Sequence, residues 1–283
     1  MLDGLYHMIL VETLGTFTAA AEAAHLSQPA LTASIQRLES HFGARLFHRG
    51  RGLRGGARLT PAGKALLPYA RRIHATLADG ERAVAELLGQ VAGTVRLAAG
   101  ATACTYLLPE ILARFRNAHP GITLQVQECS TGTILKLLEA GEIDLGVVTG
   151  PGVERWRSDD LVLVAGPGSP YVALTDPEAM AQAPMVTFAE GSPLREMALS
   201  TFPEAQVVMS LSNIAAVKGN VRAGIGVALV SEAAVAHDLA ARRLVRLAHP
   251  ATPIPRLLSL VHRGVEHLPP AASSLREMLL EGI

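Results

Sequence analysis

Apolar positions along this 283-residue chain recur at two different periods, and the changeover divides it. Up to about residue 90 the spacing is helical. In Ser27 to Phe47, "SQPALTASIQRLESHFGARLF", Leu31, Ile35, Leu38 and Phe42 fall at i, i+4, i+7 and i+11 and predict one apolar stripe. Gln28, Thr32, Gln36 and Arg37 are left on the other side of the helix. Just upstream, "TAAAEAAH" places Ala19, Ala20, Ala23 and Ala24 where small side chains let two helices cross closely. His25 and Leu26 make a short turn before Ser27 caps the next helix, which is a helix-turn-helix pattern. Residues 60–90 predict one long helix, with Thr60 as N-cap and Pro61 at the first helical position, where a missing N–H costs nothing. Along it Leu66, Ala70, Ile73, Leu77, Gly80, Val84 and Leu87 alternate spacings of four and three, a coiled-coil seam sustained for about three heptads. A lone helix cannot hide such a seam; it packs on its own chain or on a second copy.

From residue 94 the period shortens. "TVRLAA", "ITLQVQ" and "IDLGVV" read as strands, separated by helices from about Tyr106 and from Thr131 that stop at His119-Pro120-Gly121 and at Gly141. After a Gly/Pro-rich break comes a second series: "LVLVA", "MVTF", a helix from Ser192, "QVVMS", a helix from about Asn213 to Ala223, "GVALV", a helix from Ser231, then "RLVRL" and "RLLSLV". Strands alternating with helices predict an α/β architecture, here two small doubly wound subdomains with a cleft between them.

Charge sharpens this division. The whole chain is balanced at 25 basic and 25 acidic residues, but residues 1–90 carry ten basic and seven acidic groups, leaving +3 there and −3 in the remainder. No acid stands between Glu39 and Asp79, where Arg45, Arg49, Arg51, Arg54 and Arg58 interleave with Gly50, Gly52, Gly55 and Gly56. Arginines on a glycine backbone suit a wing lying along phosphates. Gln28, Thr32 and Ala33 occupy the first turns of the second helix, where Gln can pair with adenine and Thr or Ala can pack on a thymine methyl; Arg37, one turn on, suits phosphate or guanine. Two cysteines, Cys104 and Cys129, are too few for a disulfide framework or a zinc site. They read as buried small hydrophobes ahead of a thiol sensor. With no basic-then-apolar leader and no apolar run of the ~18 residues a membrane span needs, a cytoplasmic protein is expected.

The blocks "SQPALT", "IQRLE", "GARLF" and "LTPAG", in that order, are similar to the N-terminal signature of the LysR-type transcriptional regulators. The resemblance continues through "YLLPEILARFRNAHPGITLQV", "LEAGEIDLGVV" and "VRAGIGVALVS", so it covers nearly the entire chain. Two features depart from it: a longer wing between Phe47 and Leu59, and a shortened crossover in "VVTGPGVERWRSDDLVLV". The resemblance implies pairing through the long helix into a homodimer or homotetramer, double-stranded DNA and a small-molecule effector as partners, and a cleft like that of periplasmic binding proteins. It implies DNA-binding residues Ser27, Gln28, Pro29, Thr32, Ala33 and Arg37, with Arg49, Arg51 and Arg54 on the wing. Thr102 and Thr131 match the positions where family members contact inducers.

In doubly wound folds a ligand sits beyond the carboxyl ends of the strands, where helix N-termini converge. Thr102, Ser130, Thr131, Ser192 and Ser212 occupy such positions and suit an anion, most simply a carboxylate, although each alone is also what an ordinary N-cap supplies. Arg195 stands close enough to Ser192 to add a charge. The chain offers no G-x-S-x-G elbow, no P-loop and no metal-spaced cluster, and Gly224-Ile225-Gly226 lies between helix and strand in the wrong order for a dinucleotide loop. Neither an enzyme nor a metal or cofactor is therefore expected. A two-lobed binding protein without DNA binding explains residues 94–283 but leaves the basic N-terminus without a role. The expected organisation is a winged helix-turn-helix domain at 1–59, a linker helix at 60–91 and an effector-binding domain at 92–283. Within the last, subdomain I spans about 92–160 and 257–283, and subdomain II about 161–256.

Overall fold

A computed structural model describes residues 1–48, 56–88 and 93–281. Contacts divide the chain into two units. One comprises Met1–Ala92, Lys136–Asp144 and Arg263–Pro270; the other comprises Gly93–Leu135, Leu145–His262 and Ala271–Ile283.

The first unit opens with α1 (Leu2–Leu14), α2 (Phe17–Ala23) and α3 (Gln28–Phe42), followed by the long α4 (Pro61–Leu87). Thr16 and Ser27 cap α2 and α3 through their side chains, and Gly15 and Gly43 end α1 and α3 in the left-handed conformation. Leu5, Met8 and Val11 of α1, Ala20 and Ala21 of α2, and Leu31, Ile35 and Leu38 of α3 form one core, which Ala70 of α4 joins. The close approach of α2 is thus made by Ala20 and Ala21, while Ala23 is exposed. Phe42 departs from the expected stripe and is 46% exposed. The chain turns at Gly43 and lays Leu46 and Phe47 into the core instead. Thr60 Oγ1 accepts the Gly63 N–H at 3.1 Å and donates to the Arg45 carbonyl at 2.6 Å, so one hydroxyl both caps α4 and ties it to the end of the helix-turn-helix. Gly63 lies so close to the Leu46 carbonyl oxygen that a Cβ there would collide with it, which explains the glycine of "LTPAG". Further along α4, Ile73, Leu77 and Val84 are 42%, 45% and 56% exposed, so these positions of the seam are bare. The same unit holds a ring of charges: Asp79 takes Arg82 and Arg263, and Arg82 reaches the buried Asp144 at 2.9 Å.

The second unit begins with β1 (Thr94–Ala99), a π-helical turn (Ala103–Leu107), α5 (Pro109–Ala118), β2 (Thr123–Glu128), α6 (Thr131–Ala140, which continues into the first unit), β3 (Leu145–Thr149) and β4 (Glu154–Ala165). It continues with a short 3₁₀ turn, α7 (Pro177–Ala181), β5 (Met185–Phe188), α8 (Pro193–Thr201), β6 (Val207–Leu211), α9 (Ile214–Arg222) and β7 (Ala228–Ser231). It closes with α10 (Glu232–Ala240), β8 (Val245–Arg246), β9 (Ile254–Val261) and α11 (Pro270–Glu281). The sheet order is β2-β1-β3-β9-β4-β7, with β8 beside β4. β1 pairs in parallel with β2 and β3, whereas β9 and β4 run antiparallel to their neighbours. β5 and β6 form a separate parallel pair, linked to Val227 by one bridge from Met185.

The crossover between the subdomains is consequently a pair of long strands. β4 pairs with β9 from Glu154↔Leu260 to Leu161↔Ile254, and its later half pairs with β7 and β8. Its sequence accounts for this double duty: polar and apolar residues mix up to Asp160, after which Leu161 to Ala165 is buried throughout, as expected of a strand covered on both faces. α11 packs back on this pair, with Trp156 Nε1 donating to the Leu279 carbonyl at 3.0 Å and Arg276 bonded to Glu154. Among the described residues no helix is long and apolar enough to cross a membrane.

Candidate functional site

Two places bring together the residues that the sequence singles out, one in each unit. In the first, Ser27 Oγ accepts the Ala30 N–H at 3.4 Å and starts α3. Burial of Leu31, Ser34, Ile35 and Leu38 commits one side of α3 to the core; Gln28, Pro29, Gln36 and Arg37 are exposed, and Thr32 and Ala33 partly so. Beneath them Ser34 Oγ and His7 Nδ1 are hydrogen-bonded at 2.8 Å. Burial lowers the His7 pKa, Asp3 opposes that and Arg37 adds to it, so the ring is held neutral. After α3, Glu39 Oε1 accepts the N–H groups of Leu46 and Phe47 at 2.8 and 3.4 Å. Phe47 and Leu59 then pair antiparallel, and His48 donates to the Arg58 carbonyl at 2.9 Å, forming the stem of a hairpin. Arg45 and Arg58 are exposed beside this stem. Arg49, Arg51 and Arg54 lie outside the described residues. The clamp by Glu39 was not foreseen; its signal was an acid at the edge of a stretch that is otherwise basic.

In the second unit a cavity of about 310 Å³ is lined by all five predicted hydroxyl residues, Thr102, Ser130, Thr131, Ser192 and Ser212. They arrive from separate segments because the strand ends of both subdomains face it. Ser130 is an N-cap, accepting the Thr133 N–H at 3.3 Å. Thr102 and Ser192 stand at cap positions without making a capping hydrogen bond. Ser212 precedes the true cap of α9, Asn213, whose Oδ1 accepts the Ala216 N–H at 2.8 Å. The first residues of α6, α8 and α9 all line the cavity, so three helix N-termini converge there. Val147, Phe188, Leu194 and Leu258 supply apolar walls. The π turn after Thr102 carries Tyr106, whose ring lies 5.2 Å beneath the Lys218 ammonium and packs on the core of subdomain II.

Arg195 is corrected by the structure. Its guanidinium donates to the Phe188 carbonyl at 3.0 Å and to Ser210 Oγ at 2.8 Å, and it does not line the cavity. The basic residue that does is Arg256 of β9, which sequence reasoning missed. The available signal was a lone charge inside the apolar run "IPRLLSLV" with acids in the facing "RWRSDDLVLV". Cys129 lines the cavity and Cys104 does not; burial first, then the Glu128 carboxylate, push the Cys104 pKa up to about 11. Such a thiol stays protonated at neutral pH and is a poor nucleophile.

Comparison with known proteins agrees with both halves. Residues 2–64 match the family described as bacterial regulatory helix-turn-helix protein, lysR family, and residues 88–283 match the LysR substrate binding domain. The RuBisCO operon transcriptional regulator of Allochromatium vinosum is 31% identical over 94% of this chain and 90% of its own length. Among solved structures, a full-length OxyR variant from Pseudomonas aeruginosa superposes with a TM-score of 0.71 at 22% identity, covering 99% of this chain and 93% of that one. CbnR complexed with its target DNA does so at 0.64 and 24% identity, covering both chains in full. At these identities the two structures attest the fold. The order of the two matched regions and the relatives spanning almost the whole chain make it a member of the LysR family, a transcriptional regulator with a helix-turn-helix DNA-binding domain followed by an effector-binding domain, and not an enzyme.

Proposed function

We propose that this regulator binds palindromic promoter DNA in the cytoplasm as a dimer or a pair of dimers, and that a small anionic metabolite in the cavity, most simply a carboxylate, modulates that binding. The domain limits are those of the sequence: DNA binding by 1–59, pairing by 60–91, effector binding by 92–283. Gln28, Thr32 and Ala33 read base edges, Arg37 meets guanine or phosphate, Ser27 and Pro29 seat the start of α3, and Arg49, Arg51 and Arg54 run along phosphates. Pairing through α4 puts two copies of α3 on one side of the duplex, which matches a two-fold operator.

The observation that carries the effector reading is the meeting of five hydroxyl residues and three helix N-termini around one cavity. Free N–H groups and positive dipole ends favour an anion, and hydroxyls orient it. Native mass spectrometry of the purified protein, followed by calorimetry with whatever metabolite co-purifies, tests this directly. A carboxylate that alters the DNA footprint is the expected result; a cationic ligand in the cavity overturns the anion. For the DNA side, Gln28→Ala and Thr32→Ala are expected to flatten discrimination among operator variants while leaving non-specific binding intact. If both substitutions weakened every DNA equally, α3 would not be the reading helix.

A further inference from the structure

Two charged side chains line the cavity among the described residues, Glu128 and Arg256. Glu128 is exposed at the end of β2, whereas Arg256 is 5% exposed on β9. Arg256 stands directly across from Asp159 in the pairing of β9 with β4, and its Nη2 is bonded to Asp159 Oδ2. Asp159 is well supplied with donors of its own: Oδ1 accepts from Ser231 Oγ at 2.8 Å and from the Ala233 N–H at 3.4 Å at the start of α10. The carboxylate is therefore fixed, and it engages the guanidinium through one nitrogen. Arg256 Nε is buried and finds no acceptor among the described residues. A buried N–H left without an acceptor is costly, and a guanidinium is built to present two parallel N–H groups to a planar carboxylate.

On the reading that the cavity is the effector site, we infer that Arg256 is its specificity-determining residue and that the effector is a compact monocarboxylate with an apolar body. The donors that the cavity-lining guanidinium keeps beyond its bond to Asp159 take one carboxylate. Asp159 already balances the arginine's charge, so one carboxylate is held by the guanidinium's remaining donors and the helix N-termini rather than by net charge, and with Glu128 adding a negative charge at the cavity edge nothing is left to offset a second. Phe188, Leu194, Val147 and Leu258 surround the rest of the ligand with apolar surface. The volume, about 310 Å³, stands near the lower end for ligand pockets, which run from roughly 300 to 1,000 Å³.

The test uses the full-length protein and a defined set of probes: the monocarboxylates from butanoate to octanoate with their branched isomers, the matching primary amides, and the matching α,ω-dicarboxylates. Binding is read by calorimetry and by the rise in unfolding midpoint. At least one monocarboxylate is expected to bind, with its amide and dicarboxylate counterparts at least ~10-fold weaker, since charge-assisted hydrogen bonds are lost or a second charge is left unpaired. Arg256→Lys, which keeps the charge opposite Asp159 but has no Nε edge, is expected to weaken that binding by ~10-fold or more, and Arg256→Gln by more still. Asp159→Asn should act in the opposite direction and strengthen binding, because it removes the competitor for the guanidinium; a purely structural pair would not do so. If Arg256→Gln does not fold, Asp159→Asn combined with Arg256→Gln replaces the ion pair by a neutral one and must show the same loss. Thr102→Ala reports on the cavity independently. Should it weaken binding while both Arg256 variants bind like wild type, the arginine assignment fails and the cavity stands. Wild-type affinity in Thr102→Ala and both Arg256 variants removes the effector site from this cavity. No binding by any monocarboxylate overturns the ligand class.

Discussion

Thr102 is 8% exposed, lines the cavity and makes no cap for the turn that follows it. A hydroxyl in that position, beside Thr131 at the start of α6, is available to a ligand in a way that the capping Ser130 is not. Removing a hydrogen bond to a charged partner costs ~1.5–3 kcal/mol, so Thr102→Ala and Thr131→Ala should each weaken effector binding roughly ten- to hundredfold. Effector-free DNA binding should stay the same, and calorimetry beside a DNA mobility-shift assay separates the two. In the DNA-binding unit His7 makes a different prediction. Its folded pKa lies below the ordinary 6.5, mainly through burial, so as pH falls the unfolded chain takes up the proton first. The stability that depends on a neutral ring is present above about pH 6.5 and is lost progressively below it. Unfolding midpoints between pH 7.5 and 5.5 should therefore drop more steeply for the wild type than for His7→Gln; equal slopes would mean that the ring takes up its proton as readily in the native core as in the unfolded chain.

The long α4 changes its surroundings along its length. Its first turns are held by the helix-turn-helix through Thr60, Gly63 and Ala70, while Ile73, Leu77 and Val84 leave the seam bare further along. On the proposed pairing, a second copy buries this apolar row. Leu77→Asp puts a charge where desolvation costs several kcal/mol, so the dimer dissociation constant should rise by roughly a hundredfold or more. Sedimentation at low micromolar concentration reads this, and an unchanged oligomer would mean that pairing rests on another surface. β4 divides its partners in a similar way: it pairs edge to edge with β9 up to Leu161, and with β7 and β8 from Leu161 onward.

The molecule as a whole is electrically neutral, yet the excess of +3 in residues 1–90 against −3 in the remainder separates its two tasks. DNA binding dominated by phosphate contacts loses affinity log-linearly with salt, with a slope near −0.9 for each phosphate neutralised. Replacing Arg51 and Arg54 together by Ala should reduce that slope by about two, measured by fluorescence anisotropy on one operator across a salt series. An undiminished slope would take those arginines off the backbone. The same experiment on Arg37→Ala distinguishes a phosphate contact, which changes the slope, from a guanine contact, which changes preference among sequences.

Much of this organisation was already legible in the order of residues, for identifiable reasons. Helical and strand periods report burial directly, so the helix-turn-helix, the long α4 and the alternation of strands and helices after residue 94 could be read from spacing alone. Ser27, Thr60 and Ser231 act as caps because capping is a local event, decided within three residues. What depended on distant segments was not available to such reading. Phe42 belongs to its stripe by period but is left exposed, because Leu46 and Phe47 fill the core after the turn at Gly43. Arg195 looked suitable by proximity to Ser192, yet the Phe188 carbonyl and Ser210 draw it away. Arg256 became a cavity residue because β9 returns across the sheet to lie opposite Asp159, 97 positions earlier in the chain. Sequence by itself determined which residues form elements and which stretch is built for DNA, since both follow from local period and charge. The tertiary structure alone decided which hydroxyls gather around one cavity and which charge meets it, because those depend on segments brought close only when the two long crossover strands pair.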